Sequence, residues 1–295
     1  MPNISVILNP SAGSVRDLDD LVKQIAQLPD AEVRMTTKSG SAARFARGAL
    51  RNGCKMIVAA GGDGTLNEVI NGLQENAGET RVGLIPLGTG NDFARTIGLP
   101  TDLEAALEVL RVGHTRAIDL VRVTSDKVRY FLNVSAGGFS GLVNEKLTPE
   151  MKKNWGPLAY LRSAAAALPD LRAYRTTLAL DNTESLMLDL YNVVVANGRY
   201  VAGGTLIAPE ASLDDGMLDI ILIQKRSAAE LALLAAQVMV GAHLSSDAVV
   251  FRRAAKLTVN SKPGMWFNVD GELVGNEPAC FEILPRALNF VVPKP

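Results

Sequence analysis

Two short loops concentrate the residue types that could do chemistry. "GGDGT", residues 61–65, follows the apolar run "IVAA" and opens onto the helix-like "LNEVINGL". "PLGTGND", residues 86–92, repeats the arrangement, with glycines, a threonine and an aspartate between an apolar run and a helix-like segment. Glycine lets the backbone take positive φ and lets a ligand approach the chain closely. The first N–H groups of a helix carry partial positive charge that suits an anion. The chemistry on offer is polyphosphate binding. Neither loop is a Walker A sequence, because no Lys-Ser/Thr follows the glycines, and neither is GxGxxG. Asp63 beside phosphates requires a cation or a ribose hydroxyl in between. Alternatively, the first loop is a tight strand-to-helix turn with Asp63 as its cap.

Two further turns carry carboxylates. "SLDDGMLD", residues 212–219, offers the hard oxygen ligands that Mg²⁺ prefers, and "FNVDGELV", residues 267–274, places Asp270 and Glu272 around a glycine. Asp-Gly between alternating residues is also a hairpin signal, so each stretch reads equally as a turn. His114 and His243 stand alone and read as surface or packing residues.

The rest of the chain must position these loops. It has 295 residues, enough for two modest domains, and 47% are hydrophobic, which implies a packed core rather than disorder. The net charge of −1 leaves no global basic field to collect nucleic acid. The two cysteines, Cys54 and Cys280, fit a reducing compartment as small apolar fillers. "MPNISVILNP" reads as a first strand rather than a leader, and a cytoplasmic protein is expected. The nearest approach to a membrane helix is "AELALLAAQVMVGAHL". It is shorter than the roughly 20 residues a span needs, and Glu230 fits the first turn of an ordinary soluble helix.

Through residue 120, strand signals ("ISVILN", "AEVRMTT", "KMIVAA", "RVGLIPLG") alternate with helical ones, which predicts a doubly wound α/β nucleotide-binding domain with a parallel sheet. Residues 121–295 read as a second, mostly antiparallel, β-sandwich-like domain, with strands such as "TTLALD", "LMLDLYNVVVANG" and "AAKLTVNS". The last segment, "ACFEILPRALNFVV", either completes that domain or returns to the first. "KKNWGPLAYLRSAAAALPDLRAYR", residues 152–175, mixes Trp155 and Tyr160 with Lys152, Lys153, Arg162 and Arg172. It reads as an amphipathic cover for the β domain or as an interfacial lip where lipid enters.

"GGDGTLNEVINGL" followed by "IPLGTGNDFAR" resembles the diacylglycerol kinase catalytic-domain family, and within it the YegS-like bacterial lipid kinases. "NPSAG", "ANGRYVAGG", "APEASLDDGMLDI" and "VDGE" extend the likeness along almost the whole chain. The resemblance implies a two-domain kinase with ATP in the cleft between the domains and a lipid hydroxyl as acceptor, of a diacylglycerol-like or phosphatidylglycerol-like molecule. Matched by position, the nucleotide would contact Thr36, Gly61, Gly62, Asp63, Gly64, Thr65, Leu66, Asn67 and Thr89. Ser212, Asp215 and Met217 would hold Mg²⁺, with Ca²⁺ as a substitute, through backbone carbonyls and one carboxylate. Asp270 would be the general base, with Glu272 orienting it or holding a metal. Asp63, Asp92 and Asp119 would add acidic groups facing the cleft. "NPSAGSVRD" departs from relatives that carry several basic residues after the glycine, offering only Arg16. The implied partners are ATP, a lipid and, transiently, a membrane surface. An NAD kinase shares a GGDGT loop, but "LGTGNDFAR" stands where that family has a different loop. A non-catalytic nucleotide or lipid sensor on this scaffold is the remaining alternative.

Overall fold

The computed structural model describes residues 3–139, 171–269, 272–276 and 278–294. The first elements in chain order are β1 (Ile4–Leu8), α1 (Leu18–Ile25), β2 (Ala31–Met35), α2 (Ser41–Arg51), β3 (Met56–Gly61), α3 (Asp63–Leu73), β4 (Arg81–Pro86), α4 (Asp92–Thr96), α5 (Leu103–Val112) and β5 (His114–Thr124). Then follow β6 (Val128–Phe131), β7 (Val134–Gly138), β8 (Tyr174–Leu180), β9 (Glu184–Ala196), β10 (Tyr200–Val201), β11 (Thr205–Leu206), β12 (Leu218–Gln224) and α6 (Ala228–Met239). The last are β13 (Val249–Ala254), β14 (Lys256–Lys262), β15 (Phe267–Val269), β16 (Glu272–Gly275) and β17 (Ala279–Val292). The chain divides into two units, Met1–Leu120 with Pro285–Pro295, and Val121–Leu284.

In the first unit the strands run β2-β1-β3-β4-β17, neighbours in that order pairing parallel, and β5 also pairs with β17. Every residue of β1 and β3 is buried, as parallel strands covered on both faces must be. Val6, Leu8, Val58 and Ala60 pack with Leu21 and Ile25 of α1 and with Leu107 and Leu110 of α5. Strand residues alternate sides, so Ile7, Ile57 and Ala59, equally buried, face the other way, and α2 and α3 contact β1 and β3. The doubly wound reading therefore holds. Local chemistry starts the helices. The Asp17 carboxylate accepts from Asp20 N–H at 3.0 Å, and that of Asp102 from Ala105 N–H at 3.0 Å.

The second unit is built from antiparallel pairs in the order β16-β15-β7-β9-β8-β14-β17, with β12 joining β9 and β13. The first part of β9 alternates in burial and the second is continuously buried, because that part is covered on both sides. Val193 and Val195 belong to a large core with Leu178, Ile220, Leu257 and Phe281. Val194 and Ala196 belong to a smaller one with Ile207, Ala211 and Ile221. The mainly antiparallel, sandwich-like reading of this unit holds too. β17 serves both units in turn: Ala279–Glu282 pairs antiparallel with β14, and Asn289 and Phe290 pair parallel with β4. Most of the 152–175 segment lies outside the described residues. Neither cysteine is joined in a disulfide.

His243 is fully buried, and its Nε2 lies 2.7 Å from the carbonyl oxygen of Ile207. A carbonyl only accepts, so Nε2 carries the proton and Nδ1 is the bare nitrogen. Nδ1 is buried and has no partner among the described residues. Desolvation holds the imidazole's pKa below its ordinary value. The native state therefore resists the proton that the unfolded chain accepts. This contribution to stability is fully present above the ordinary histidine value of about 6.5 and is lost as pH falls from there through the lower native pKa. Urea midpoints measured from pH 8 down to pH 5 are expected to decline over that window. His243→Gln, which keeps a donor for Ile207 but gains no charge, is expected to flatten that part of the slope. Equal slopes in the two proteins would show that His243 takes its proton without cost.

Candidate functional site

In a parallel sheet ordered β2-β1-β3-β4-β17, successive connections leave β1 in opposite directions. A crevice forms at the carboxyl ends of the strands, at the β1/β3 switch. Asn9–Ser14 follows β1 and "GGDGT" overlaps the end of β3, so both loops lie at this point. "PLGTGND" leaves the next strand, β4, on the same rim, and Thr36 follows β2, its N–H donating to Leu8 O at 2.8 Å.

Side chains stitch these loops together. Asn9 Nδ2 donates to Thr65 Oγ1 at 3.3 Å, and Ser14 Oγ donates to Leu87 O at 2.8 Å. The two carboxylate oxygens of Asp63 accept from Asp92 N–H at 3.1 Å and Phe93 N–H at 3.0 Å. Asp63 therefore caps α4, the helix of the neighbouring loop. Asn91 takes the left-handed conformation that asparagine tolerates. Its side chain accepts from Gly88 N–H at 2.9 Å and donates to Gly88 O at 2.8 Å. A Cβ on Gly88 would lie 2.5 Å from Gly62 Cα, and one on Gly62 would lie 3.1 Å from Gly88 Cα. These glycines allow two backbones to touch. Gly62 has φ −90°, so close approach, not positive φ, is what excludes a side chain there.

The expected nucleotide residues divide by exposure. Thr65, Leu66 and Asn67 are buried, and Asn67 is bonded to Asn71, so what they can present to a ligand is backbone. Gly64 is exposed at the start of α3, and a Cβ there would meet no atom within 4 Å. Within that turn the Thr65 and Leu66 N–H groups donate to Gly62 O at 3.0 and 3.1 Å, so the donors an anion could meet in the open space at Gly64 are those that precede Thr65. Thr89 is exposed and its Cγ2 lies over Gly13 of the Asn9–Ser14 loop.

Two positioning residues were not anticipated from sequence. Glu68 accepts from Gly40 N–H at 2.9 Å and Ala42 N–H at 3.0 Å, supplying the cap that α2 lacks locally. Asn91 locks its loop as described, and "GN" before a helix was its only signal. Asp119 departs from the expectation that it faces the cleft. It is fully buried and accepts from Arg286 N–H at 2.7 Å, holding the backbone where Arg286 takes positive φ.

At "SLDDGMLD", Asp215 Oδ1 accepts from Met217 N–H at 3.0 Å, and Ser212 Oγ donates to Asp214 at 2.9 Å. Carbonyl and carboxylate oxygens are the donors that suit Mg²⁺ or Ca²⁺, but Asp215 Oδ1 is taken by Met217 N–H and its other oxygen by Arg253, so a cation here has to share this carboxylate with a guanidinium. Arg253 already pairs with Asp215, and its Nε donates to Asp219 at 2.8 Å. Asp219 is buried. Desolvation pushes its carboxyl pKa up, and the Arg253 bond works against that. β15 and β16 pair with Val269 opposite Glu272. Asp270, between them in sequence, and the Glu272 side chain lie outside the described residues.

Residues 3–123 match the diacylglycerol kinase catalytic domain, and residues 133–292 match the YegS C-terminal NAD kinase beta sandwich-like domain. A diacylglycerol kinase of Staphylococcus epidermidis is 33% identical over 304 residues, covering 98% of this chain and 92% of its own. One of Staphylococcus haemolyticus is 33% identical over 297 residues, covering 98% and 88%. A solved structure from Bacillus anthracis str. Sterne superposes with a TM-score of 0.84 at 22% identity, covering 99% of this chain and 95% of that one. Another from the same strain, described as a diacylglycerol kinase, gives 0.74 at 20% identity, covering 99% and 97%. The structural likenesses carry the fold, and the sequence likenesses carry the family.

Gly64→Val places its side chain in open space and is expected to change stability by no more than about 1 kcal/mol, while ATP affinity falls at least about tenfold if a phosphate occupies that space. Gly88→Val meets the Gly62 backbone and is expected to lose about 1–3 kcal/mol as well. Calorimetric titration with ATP, beside urea melts, separates the two effects, and unchanged affinity in Gly64→Val would make "GGDGT" only a turn. Arg253→Met strands the buried Asp219 carboxylate and is expected to cost about 3 kcal/mol in the same melts. A loss below about 0.5 kcal/mol would put the pair among weak surface contacts.

Proposed function

We propose, since this chain belongs to the diacylglycerol kinase family of lipid kinases, that it transfers the γ-phosphate of ATP to a hydroxyl of a diacylglycerol-like or phosphatidylglycerol-like lipid. The observation that carries the nucleotide half of this reading is the set of loops stitched at the β1/β3 switch, with open space at Gly64. The names of the curated relatives support diacylglycerol as the first acceptor to assay.

Phosphoryl transfer is mostly positioning and charge neutralisation. Backbone N–H groups of Gly62–Gly64 receive phosphate oxygens, with Thr36 and Thr89 at the rim of the same site. Asp63 and Asn91 keep the second loop fixed against the first, so the donors are in place before ATP arrives. Mg²⁺, when bound, neutralises phosphate charge. Ser212, Asp215 and Met217 are the candidates to hold a cation that steadies their turn. Asp270 accepts the lipid hydroxyl proton as that oxygen bonds to the γ-phosphorus and the bond to the β-bridging oxygen breaks.

Asp270→Asn keeps the shape of the turn, because Asn-Gly favours the same hairpin as Asp-Gly, and removes the basicity. Loss of a general base costs about 10²–10⁴-fold in rate. The expected outcome is a fall of that size in kcat with ATP affinity little changed, read from radiolabelled lipid products on a panel containing diacylglycerol, phosphatidylglycerol and, as a nucleotide acceptor, NAD. Turnover within a few fold of the parent would remove Asp270 from the mechanism, and labelling of NAD alone would replace the lipid acceptor.

A further inference from the structure

The solvent face of α6 breaks the rule that the other long helices follow. α1 shows water Asp19, Asp20 and Lys23, and α2 shows Arg44, Arg47 and Arg51. α6 shows Ala229, Ala232, Leu233, Ala236 and Met239, a stripe at helical spacing that continues into Val240. Leu233 is 60% exposed, Met239 49% and Val240 78%. On the protein side Leu234 is buried. Glu230 is tied up at the first turn in a capping box with Ser227, and Gln237 is only partly exposed. The helix is thus apolar toward the protein and apolar toward solvent.

We infer that α6 is an interfacial helix, and that its Leu233–Met239–Val240 stripe rests in the headgroup–acyl boundary of the bilayer that holds the lipid substrate. This rests on the lipid-kinase reading, since a substrate dissolved in a membrane obliges the protein to work at one. Among the described residues no helix is long and apolar enough to cross a membrane, so contact through them is made from the surface. An interfacial helix lies in the membrane plane with one apolar face about 5–10 Å deep. Such helices usually turn a charged face to water; here the protein body stands behind the helix instead, and exposed Lys225 precedes it at the N-terminal end. The size of the stripe argues against a second copy of the chain as its occupant. Twelve helical residues are about 18 Å long and about 10 Å across, roughly 200 Å² of face, against roughly 800 Å² per partner in a stable protein interface. A small apolar face suits weak, reversible attachment, as an enzyme visiting a surface requires.

The test is cosedimentation of the full chain with vesicles of phosphatidylcholine and phosphatidylglycerol, without ATP. Leu233→Gln, Met239→Gln and Val240→Gln together are expected to weaken partitioning at least about tenfold with thermal melting unchanged. Val240→Trp, which adds an aromatic group suited to the interface, is expected to bind more tightly, and it serves if the triple variant fails to fold. Activity on dispersed short-chain dioctanoylglycerol is expected to survive the triple substitution, whereas activity on vesicle-borne diacylglycerol falls. Vesicle binding by the parent that the variants leave unchanged, or no binding by the parent, would overturn the inference. So would a concentration-dependent dimer in sedimentation velocity that the triple variant abolishes. Vesicle binding that depends on the stripe, with no lipid phosphorylated, would retain the interfacial helix and refute the proposed reaction alone.

Discussion

The rim of the first unit depends on one carboxylate. Asp63 sits in the first turn of α3 and spends both oxygens on the backbone of α4. Hydrogen bonds to an ionised acceptor are worth more than neutral ones, about 1.5–3 kcal/mol each. α4 has only five residues, too few to hold itself as a helix in water. It is fixed from one end by Asp63 and from the side by the Phe93 ring, whose centroid lies 5.2 Å from that of Phe290 in an edge-on contact. The contact of Gly62 with Gly88 then follows, because loops drawn this close leave no room for a Cβ. A loop that binds phosphate through backbone N–H groups must be rigid before the ligand arrives, or binding energy is spent ordering it. Asp63 supplies that rigidity from the protein itself.

Buried polar side chains play the same part in the second unit. Asn197 donates to Leu132 O at 2.7 Å, and Asn133 donates to Tyr200 O at 2.7 Å. Together they bind the start of β7 to the segment that leads into the small β10–β11 hairpin. A Cβ on Gly198 would collide with the Asn133 side chain. "ANGRYVAGG", a run of small and polar residues with no obvious periodicity, thus has a structural reason. Asp219 and Arg253 fix β12 to β13 in the same way, at the cost of a carboxylate oxygen that is buried with no partner among the described residues. Buried groups of this kind are costly unless paired, so each confines the backbone around it to a single arrangement.

A kinase of this family joins a water-soluble nucleotide to a substrate that water excludes. The proposed nucleotide rim belongs to the first unit, and the proposed interfacial stripe of α6 to the second. Each has its own side-chain frame. Charge-assisted bonds and glycines shape the first, and bare alkyl groups form the other.

Local chemistry determined much of this protein in advance. Parallel strands announce themselves as short apolar runs between helical periods, and residues Ile4–Val112 fold as that alternation requires. The glycine loops were legible as tight strand-to-helix turns, and Gly62 and Gly88 do let two backbones touch. What the sequence left open was decided by partners remote along the chain. The carboxylate of Asp63 caps a helix that starts at Asp92, and Glu68 caps one that starts at Ser41. In each case the backbone N–H groups that need an acceptor carry no sequence signature of their own. β17 could be read as belonging to either unit, because a single extended strand can pair with both. α6 is apolar almost all round, so its periodicity named no buried face. Tertiary packing covered Leu234 and left Leu233 in the open, because only the fold determines which side of such a helix has a neighbour.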